Sequence, residues 1–317
     1  MPDVTCLGEV LIDFTSLQPG ASLIETPGFA KHAGGAPANV AVAVSMLGGA
    51  AAFVGMVGDD EFGRYLAGML GERGVDIGGL RASADAHTTL AFVALRADGE
   101  REFIFYRNPG ADMLYGPDDL DEGRIAESRI LHHGSISFIS EANRAATLRA
   151  VEIARRQGAL ISYDPNLRLN LWPSADAARA GIALGLPTAD LLKISEEELA
   201  FITGETEIAA GMALLRAQGV PVVIVTRGAA GCAYSWGDET GHLPGVPVRQ
   251  VDATGAGDAF VGAVLYRLTR ETPVALARRR EEIEEILAFA NRAAAIVVTR
   301  QGAIPAMPTL EELARAC

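Results

Sequence analysis

The second half of the sequence alternates short apolar runs with longer helical stretches, and this alternation constrains the fold more than any other feature. The runs LHHGSI, ALISYD, ADLLKIS and PVVIVT each have the length of a buried strand. Helical segments such as NRAATLRAVEIARRQG and GMALLRAQG separate them. This repetition is typical of a central, mostly parallel sheet with helices on both faces, a Rossmann-like α/β architecture. The run from Pro221 to Thr226 is predicted to be a buried central strand, preceded by a helix that ends at Gly219.

A different pattern lies between residues 91 and 107. LAFVAL and FIFYR indicate two alternating strands joined by a turn that contains glycine. Together with strand-like stretches near Thr15 to Leu23, this hairpin is expected to form a small β-sheet lid outside the main sheet. We predict a single domain over residues 1–317, with lid segments inserted at about 15–32 and 88–110.

Composition excludes several classes of protein. The chain has 27 Lys and Arg against 40 Asp and Glu, a net charge of −13, so it is not expected to bind nucleic acid. Polar or charged residues interrupt the longest apolar runs well short of the roughly 20 apolar residues that a membrane helix needs. The first ten residues, MPDVTCLGEV, lack the basic segment of a signal peptide. A cytoplasmic protein with no membrane partner is therefore expected.

The cysteines and lysines narrow the chemistry. Cys6, Cys232 and Cys317 are too few and too far apart for a disulfide framework or a zinc knuckle. The two lysines, Lys31 and Lys193, follow alanine and leucine, so no Gly-Lys-Ser/Thr sequence exists and a P-loop is excluded. If the protein handles phosphate groups, it must use backbone amides and arginines.

The segment Asp252-Ala-Thr-Gly-Ala-Gly-Asp-Ala-Phe260 carries the strongest chemical signal. It follows the strand-like VRQV and opens an apolar helix, with Gly255, Ala256 and Gly257 at the turn. The glycines allow close approach of a ligand, and the amides at a helix start attract an anion. Asp258, in the first helical turn, could accept a proton from a hydroxyl that attacks a phosphoryl group. A bare Gly-x-Gly-Asp would equally be a tight turn with a capping acid.

A second glycine-rich segment, Gly34 to Gly49, reads GGAPANVAVAVSMLGG. The Gly34-Gly35 turn lets backbone amides touch a polyol, and Asn39 can donate to and accept from hydroxyl groups. The plainer alternative is a glycine-rich start of a helix.

These two segments, in this order, resemble the two signatures of the PfkB (ribokinase-like) family of carbohydrate kinases, the second of which reads DTxGAGD. The similarity covers essentially the whole chain. LGEVLIDF, FYRNPGADML, GSISF, YDPNLR followed by LWPS, and KIS are similar to segments of fructokinases of this family. The resemblance implies a ribokinase-like fold with a small β-sheet lid. It also implies transfer of the γ-phosphoryl group of ATP to the 6-hydroxyl of D-fructose, with Asp258 as base and the amides of residues 255–258 holding the transferring charge.

The resemblance assigns the sugar hydroxyl groups to Asp13, Gly34, Gly35 and Asn39. It places Asp13 on the first strand, although a strand-end cap is the plain alternative. Arg107 is implied to contact the substrate or its new phosphate, or is an exposed lid arginine. Arg168 is implied to stabilise the transferring phosphoryl group, or is a salt-bridge residue.

For the nucleotide, the resemblance assigns Lys193, Thr226, Gly228, Gly231 and Asn291. The loop TRGAAG that holds three of them is otherwise a hairpin turn, and Asn291 is otherwise a solvated helix residue.

Glu198 matches the acid of the family's NxxE motif, which organises Mg²⁺ through water, but Ser195 replaces its asparagine. A helix-start capping box fits the same residues. Asp252 and Thr254, with the loop at Gly302, match positions that can hold a monovalent cation such as K⁺.

Two alternatives to fructose phosphorylation stay open. One is a kinase for 2-keto-3-deoxygluconate or ribose, and the other is a non-catalytic sugar-binding regulator on the same fold. The apolar FIFY strand would be an exposed edge in a monomer, so a homodimer paired through the lid is expected.

Overall fold

Two separate β-sheets organise the protein, and helices surround the larger one. The computed structural model describes residues 1–18, 20–95, 101–270 and 275–315. The strands are β1 (Val4–Leu7), β2 (Leu11–Ser16), β3 (Phe29–Gly34), β4 (Ala51–Gly58), β5 (Asp76–Ser83), β6 (Leu90–Leu95), β7 (Arg101–Tyr106), β8 (Ile130–Gly134), β9 (Leu160–Asp164), β10 (Leu191–Ser195), β11 (Val222–Thr226), β12 (Cys232–Trp236) and β13 (Glu239–Leu243). The helices are α1 (Ala36–Met46), α2 (Glu61–Glu72), α3 (Glu122–Ala126), α4 (Glu141–Arg156), α5 (Ala175–Gly185), α6 (Glu196–Thr203), α7 (Ile208–Ala217), α8 (Ala256–Thr269), α9 (Arg280–Val298) and α10 (Leu310–Arg315).

The larger sheet has nine strands in the order β13-β12-β11-β10-β9-β8-β1-β4-β5. All neighbours pair in parallel except β11 with β12 and β12 with β13. Every residue of β4, β8 and β9 is buried, as expected for strands covered on both faces. The predicted central parallel sheet is therefore confirmed, with an antiparallel hairpin added at one edge.

Helices cover both faces of this sheet, as the alternating pattern predicts. On one face α1, α8 and α9 pack together around a core that includes Phe53 and Phe260. On the other face α4 packs against a second cluster, and α5, α6 and α7 enclose a third that includes Tyr163. The helix α7 ends as predicted, since Gly219 adopts a φ of 96° just beyond its last turn.

The smaller sheet has four strands in the order β3-β2-β6-β7. Pairing places Asp13, Ala91 and Phe105 in one row across β2, β6 and β7. The next row, Phe14, Phe92 and Ile104, lies on the opposite face because side chains alternate along a strand. The small sheet therefore has one face that carries Asp13 and another that is aromatic.

The strands of this sheet differ from the prediction in two places. The segment GEVLIDF does not form one strand. The first strand, β1, ends at Leu7, just before Gly8, and β2 begins at Leu11, so Asp13 lies on β2 in the small sheet and not on the first strand. The strand also starts earlier than Thr15 and ends at Ser16, because the Ser16 hydroxyl accepts a hydrogen bond from the Gln18 amide and starts a turn. The predicted turn between β6 and β7 falls on residues 96–100, outside the described residues.

The described part of the chain contains two cysteines and ten α-helices. Cys6 and Cys232 are buried free thiols, whereas Cys317 lies outside it. Among the described helices, none combines the length and the apolar character that crossing a membrane requires.

Candidate active site

Asp258 lies at the centre of the site, in the first turn of α8. Its side chain is buried, with the residue only 5% exposed. Asn39 Nδ2 donates to one carboxylate oxygen at 2.7 Å, and Asn166 Nδ2 donates to the other at 3.2 Å. Burial raises the pKa of Asp258 to about 6, although the hydrogen bond from Asn39 acts in the opposite direction. A carboxylate with this pKa can exchange a proton near neutral pH.

The start of α8 presents backbone N–H groups beside this carboxylate. Gly255 caps the helix with a φ of 79° and no side-chain hydrogen bond. A β-carbon at Gly255 would lie 2.9 Å from Ala303 Cα, so the packing also requires glycine here. The Ala256 amide donates to the Ala253 carbonyl, whereas the amides of Gly257 and Asp258 have no acceptor among the described residues. Such a helix start favours an anionic ligand.

Lys193 brings a buried positive charge to the same place. Its Nζ lies 3.0 Å from Asp164 Oδ2, and the two residues are 6% and 2% exposed. A β-carbon at residue 257 would lie 3.0 Å from this Nζ, so Gly257 lets the ammonium group reach the helix start. Burial acts to lower the pKa of Lys193, but the Asp164 and Glu198 carboxylates outweigh it and the pKa is raised. Lys193 therefore remains charged in the folded protein.

Glu198 joins this cluster from α6. Ser195 and Glu198 form the capping box that the sequence suggests, with the Ser195 amide donating to Glu198 Oε2 at 2.7 Å. The other oxygen accepts from the Leu167 amide at 2.6 Å. Burial raises the pKa of Glu198, and the Asp164 carboxylate adds to the effect. Each oxygen keeps a second lone pair, so the carboxylate can still accept from a water molecule.

Asp13 faces the glycine turn between β3 and α1. A side chain at Gly34 would collide with Asp13 Oδ2, and one at Gly35, where φ is 108°, would collide with the Glu9 carbonyl. Both glycines are therefore required by close packing. Burial raises the pKa of Asp13 to about 6, Arg168 opposes this, and the Asp258 carboxylate adds to it. Gly34 thus adjoins Asp13, and the Asn39 amide donates to the Gly35 carbonyl at 2.9 Å, so the four residues named for the sugar lie together.

Arg107 is not an exposed lid arginine, so that alternative is wrong. Its side chain is buried against Asp112, with Nε donating to Asp112 Oδ2 at 2.8 Å and Nη2 lying 2.7 Å from the same oxygen. Thr89 donates to the other Asp112 oxygen. Glu9, whose Oε1 accepts from the Ala36 amide at 3.1 Å, adjoins this pair, and burial raises its pKa to about 7.

Arg168 lies on the exposed side of the loop that follows β9. Its Nη1 donates to the Leu167 carbonyl at 3.1 Å. Across the described ranges no carboxylate lies within 4 Å of its guanidinium group, so the salt-bridge alternative has no support. Its charge nevertheless opposes the effect of burial on the pKa of both Asp13 and Asp258. Arg168 can therefore act on an anion between these two acids.

The loop at residues 227–231 connects the antiparallel strands β11 and β12, so the hairpin alternative describes its backbone correctly. Gly228 and Gly231 have φ values of 53° and 90°, and Thr226 Oγ1 donates to the Ile194 carbonyl at 3.3 Å. Asn291 is buried and not solvated, and its Nδ2 donates to the Pro244 carbonyl at 3.2 Å. Asn291 therefore holds the segment after β13 against α9.

Asp252 ties together the two loops named for a monovalent cation. Its Oδ1 accepts from both the amide and the hydroxyl of Thr254, at 2.9 and 2.7 Å. Its Oδ2 accepts from the Gly302 amide at 3.0 Å. The structure thus brings the three predicted residues together just before α8.

Known proteins resemble this chain over almost its whole length. The sequence pattern of the pfkB family carbohydrate kinase matches residues 1–310. The chain belongs to the pfkB family of carbohydrate kinases. It is 51% identical to fructokinase-1 of Zea mays over 98% of this chain and 96% of that protein.

Solved structures of the pfkB family share the fold. A fructokinase from Xylella fastidiosa with bound ATP has a TM-score of 0.91 and 37% identity, covering 100% of this chain and 98% of that one. A fructokinase double mutant from Vibrio cholerae O395, with bound fructose, ADP and potassium ion, has a TM-score of 0.88 and 33% identity, covering 99% and 98%. The predicted ribokinase-like fold is confirmed.

Within this pfkB kinase, the motifs did not point to four residues that complete the site. Asp164 pairs with Lys193, Asn166 contacts Asp258, Asp112 pairs with Arg107, and Glu9 supports the glycine turn. The string YDPNLR contained two of them, and its polar residues directly after a buried strand were the available signal. Asp112 and Glu9 lie in the quoted strings FYRNPGADML and LGEVLIDF, but no local pattern showed that Asp112 pairs with Arg107 or that Glu9 accepts from the Ala36 amide.

Proposed function

We propose that this protein transfers the γ-phosphoryl group of ATP to the 6-hydroxyl of D-fructose. The observation that carries the proposal is the buried Asp258 carboxylate at the start of α8, facing Asp13 and the Gly34-Gly35 turn. Fructokinase relatives at about half identity over almost the whole chain support the same activity. Arg107, already paired with Asp112, offers no unpaired charge to an acidic sugar such as 2-keto-3-deoxygluconate.

In this mechanism Asp13, Asn39 and the amides of the glycine turn bind the sugar hydroxyl groups. Asp258 takes the proton of the 6-hydroxyl as that oxygen attacks phosphorus. The amides of Gly257 and Asp258 receive the charge of the transferring group, and Arg168 stabilises it from the open side. Phosphoryl transfer depends mainly on such positioning and electrostatic stabilisation, which suits a site without a P-loop.

The nucleotide is assigned to Lys193, Thr226, Gly228, Gly231 and Asn291. Gly228 and Gly231 lack side chains and so let the loop backbone approach a bound nucleotide closely. Asn291 contributes indirectly, by fixing the segment at Pro244 through its hydrogen bond to the Pro244 carbonyl. Mg²⁺ usually binds through one or two carboxylates plus substrate phosphates and keeps several waters. Glu198, with free lone pairs on both oxygens, suits contact through water. When bound, the ion neutralises charge on the phosphates.

We also propose that Asp252, Thr254 and the loop at Gly302 bind a potassium ion. Two observations support it. Asp252 hydrogen-bonds to both Thr254 and Gly302, and the Vibrio cholerae relative has a bound potassium ion. We also place the enzyme in the cytoplasm, where ATP is available.

The small sheet is proposed to act as a lid within one domain. It carries Asp13 on β2, Arg107 directly follows β7, and its strands are inserted between elements of the main sheet. Closure of such a lid excludes water, so that ATP is not hydrolysed.

We expect the protein to be a dimer joined through the aromatic face of the lid. Ile104 and Tyr106 are 49% and 64% exposed there, and a second copy would cover them. Light scattering over a concentration series should give a dimer mass, and Ile104→Lys should shift it toward monomer. Leu214→Lys, an exposed leucine of α7, is the matched control. A monomer mass for the unmodified protein at all concentrations would rule out the dimer.

The deciding experiment is ADP release with Mg·ATP against fructose, 2-keto-3-deoxygluconate, ribose and glucose. Saturable turnover with the highest kcat/KM on fructose is the expected result. Preference for another sugar would leave the mechanism in place and refute the substrate. No sugar-dependent ADP release at all would favour the sugar-binding regulator.

The pH dependence of kcat/KM is expected to show an acid limb near pH 6. Asp258 must be ionised to accept a proton, and burial raises its pKa to about 6. Asp13 has a similar pKa, so the limb reports both carboxylates together. Below pH 6 the value should fall roughly tenfold or more per pH unit. A profile that stays flat down to pH 5, with intact protein, would contradict Asp258 as the base.

A further inference from the structure

Asn166 has an unusual backbone conformation next to the site. Its φ is 44°, the one positive φ of a non-glycine residue across the described ranges. Asparagine tolerates this left-handed conformation better than most residues, but it still costs free energy. A strained residue persists where its surroundings fix it, and such residues cluster at functional sites.

Neighbouring hydrogen bonds fix this turn on three sides. Ser135 donates to the Pro165 carbonyl through both its amide and its hydroxyl. The Asn166 amide donates to Asp164 Oδ1 at 3.1 Å, and the Leu167 amide donates to Glu198 Oε1. The turn is therefore anchored to the carboxylates that surround Lys193.

The side chain of Asn166 points from this turn to Asp258. Its Nδ2 lies 3.2 Å from Asp258 Oδ1, while Asn39 Nδ2 lies 2.7 Å from Oδ2. An ionised carboxylate only accepts hydrogen bonds, so both amides present their nitrogen atoms. Each oxygen is thus held by a neutral donor that leaves its remaining lone pair for a substrate hydroxyl.

The other groups around Asp258 do not provide this orientation. Asp164 and Asp13 face it with like charge, whereas Lys193 and Arg168 face it with opposite charge. Lys193 is bound to Asp164, and Arg168 donates to the Leu167 carbonyl. The two asparagines therefore determine where the carboxylate points.

We propose that Asn166 is a positioning residue for Asp258, held in a strained turn so that its amide orients the base. This proposal rests on the proposed kinase function, in which Asp258 accepts the proton of the sugar hydroxyl. In this proposal the function of Asn166 is to orient the Asp258 carboxylate. Asn166 does not bind the nucleotide, and its role is more than stabilising the loop.

Two substitutions separate the amide from the backbone conformation. Asn166→Gly keeps the left-handed φ and removes the donor, so kcat should fall about tenfold with little change in the KM for fructose. Asn166→Asp places a carboxylate against Asp258 Oδ1, and two acids at this distance share one proton. The acid limb of kcat/KM should then move up by at least about one pH unit, and the lost rate should partly return at higher pH.

Asn170→Asp is the matched control, because it adds the same charge to the same loop at an exposed position. Its acid limb should stay where it is in the unmodified enzyme. If Asn166→Asp also leaves the limb unmoved, or if Asn166→Gly retains full kcat, the proposal is wrong. A purely structural role would lower the melting temperature without moving the limb.

A stability cycle tests the contact independently of turnover. The unfolding equilibrium constants of Asn166→Gly, Asp258→Ala and the double variant at pH 8 should show coupling of about tenfold. Absence of coupling would overturn the proposal even in an active enzyme. If the unmodified protein turns over no sugar, the kinase function fails separately, and the cycle still decides whether Asn166 holds Asp258.

Discussion

Replacing Asp258 with asparagine is expected to lower kcat on fructose by roughly 10³-fold, because the amide cannot accept the proton of the attacking hydroxyl. The substitution keeps the size of the side chain, and Asn39 can still hydrogen-bond to it. Binding of fructose should change little, since the proposed mechanism assigns the other sugar contacts to Asp13 and the glycine turn. Steady-state ADP release and calorimetric titration with fructose measure the two effects.

The same variant should be more stable than the unmodified protein at neutral pH. The pKa of Asp258 rises from an ordinary 3.8 to about 6 on folding. Burial of the ionised carboxylate therefore destabilises the folded state above pH 6, and this destabilisation is absent below pH 4. Removing that charge should add on the order of 2 kcal/mol to the free energy of unfolding at pH 8, and the gain should disappear as pH falls toward 4. A stable protein with lost turnover excludes unfolding as the cause.

Asp238→Asn provides the control, because Asp238 is exposed in the turn between β12 and β13. It should retain normal turnover and stability. An Asp258→Asn variant that keeps even a tenth of the unmodified kcat would remove Asp258 from the role of base.

The sequence predicted the parts of the fold that depend on local pattern. The alternation of apolar and helical segments indicated the parallel sheet, and the Gly255–Asp258 turn was placed at a helix start because glycine and a capping acid act locally. The interruption between β1 and β2 was missed, since Val10 to Ile12 continue the apolar character of β1 and only pairing with different sheets divides the two strands. Local pattern carries no information about which sheet a strand joins.

Contacts between distant residues limited the prediction of the site in the same way. Asn166 and Asp258 are 92 positions apart, and their hydrogen bond depends on the left-handed turn after β9. Asp112, the buried partner of Arg107, is itself held by Thr89, which lies 23 positions away on the other side of β6 and β7. The candidate residues could therefore be named from the sequence motifs. The hydrogen-bond partners that shift their pKa values and orient their side chains could be identified only in the structure.

Replacing Lys193 with methionine is expected to destabilise the protein and to lower its activity. Lys193 and Asp164 form a buried ion pair at 3.0 Å, and removing one partner leaves an uncompensated buried charge. Such a change typically costs about 3 to 5 kcal/mol in the free energy of unfolding. Loss of the ammonium group beside α8 should also lower kcat by roughly 10²-fold. Urea unfolding at pH 7.5 and ADP release measure these effects.

The other lysine of the chain supplies the matched control. Lys31 is exposed on β3 and lies over the Tyr65 ring at 3.6 Å, so Lys31→Met should cost less than about 1 kcal/mol and leave kcat unchanged. Adding Asp164→Asn to Lys193→Met should restore part of the stability, because it removes the unpaired charge, without restoring activity. Recovery of turnover in the double variant would mean that Lys193 serves only to neutralise Asp164. Failure of turnover to recover, together with regained stability, would show that the positive charge itself acts at the start of α8, where the proposed mechanism places the transferring group beside the Gly257 and Asp258 amides.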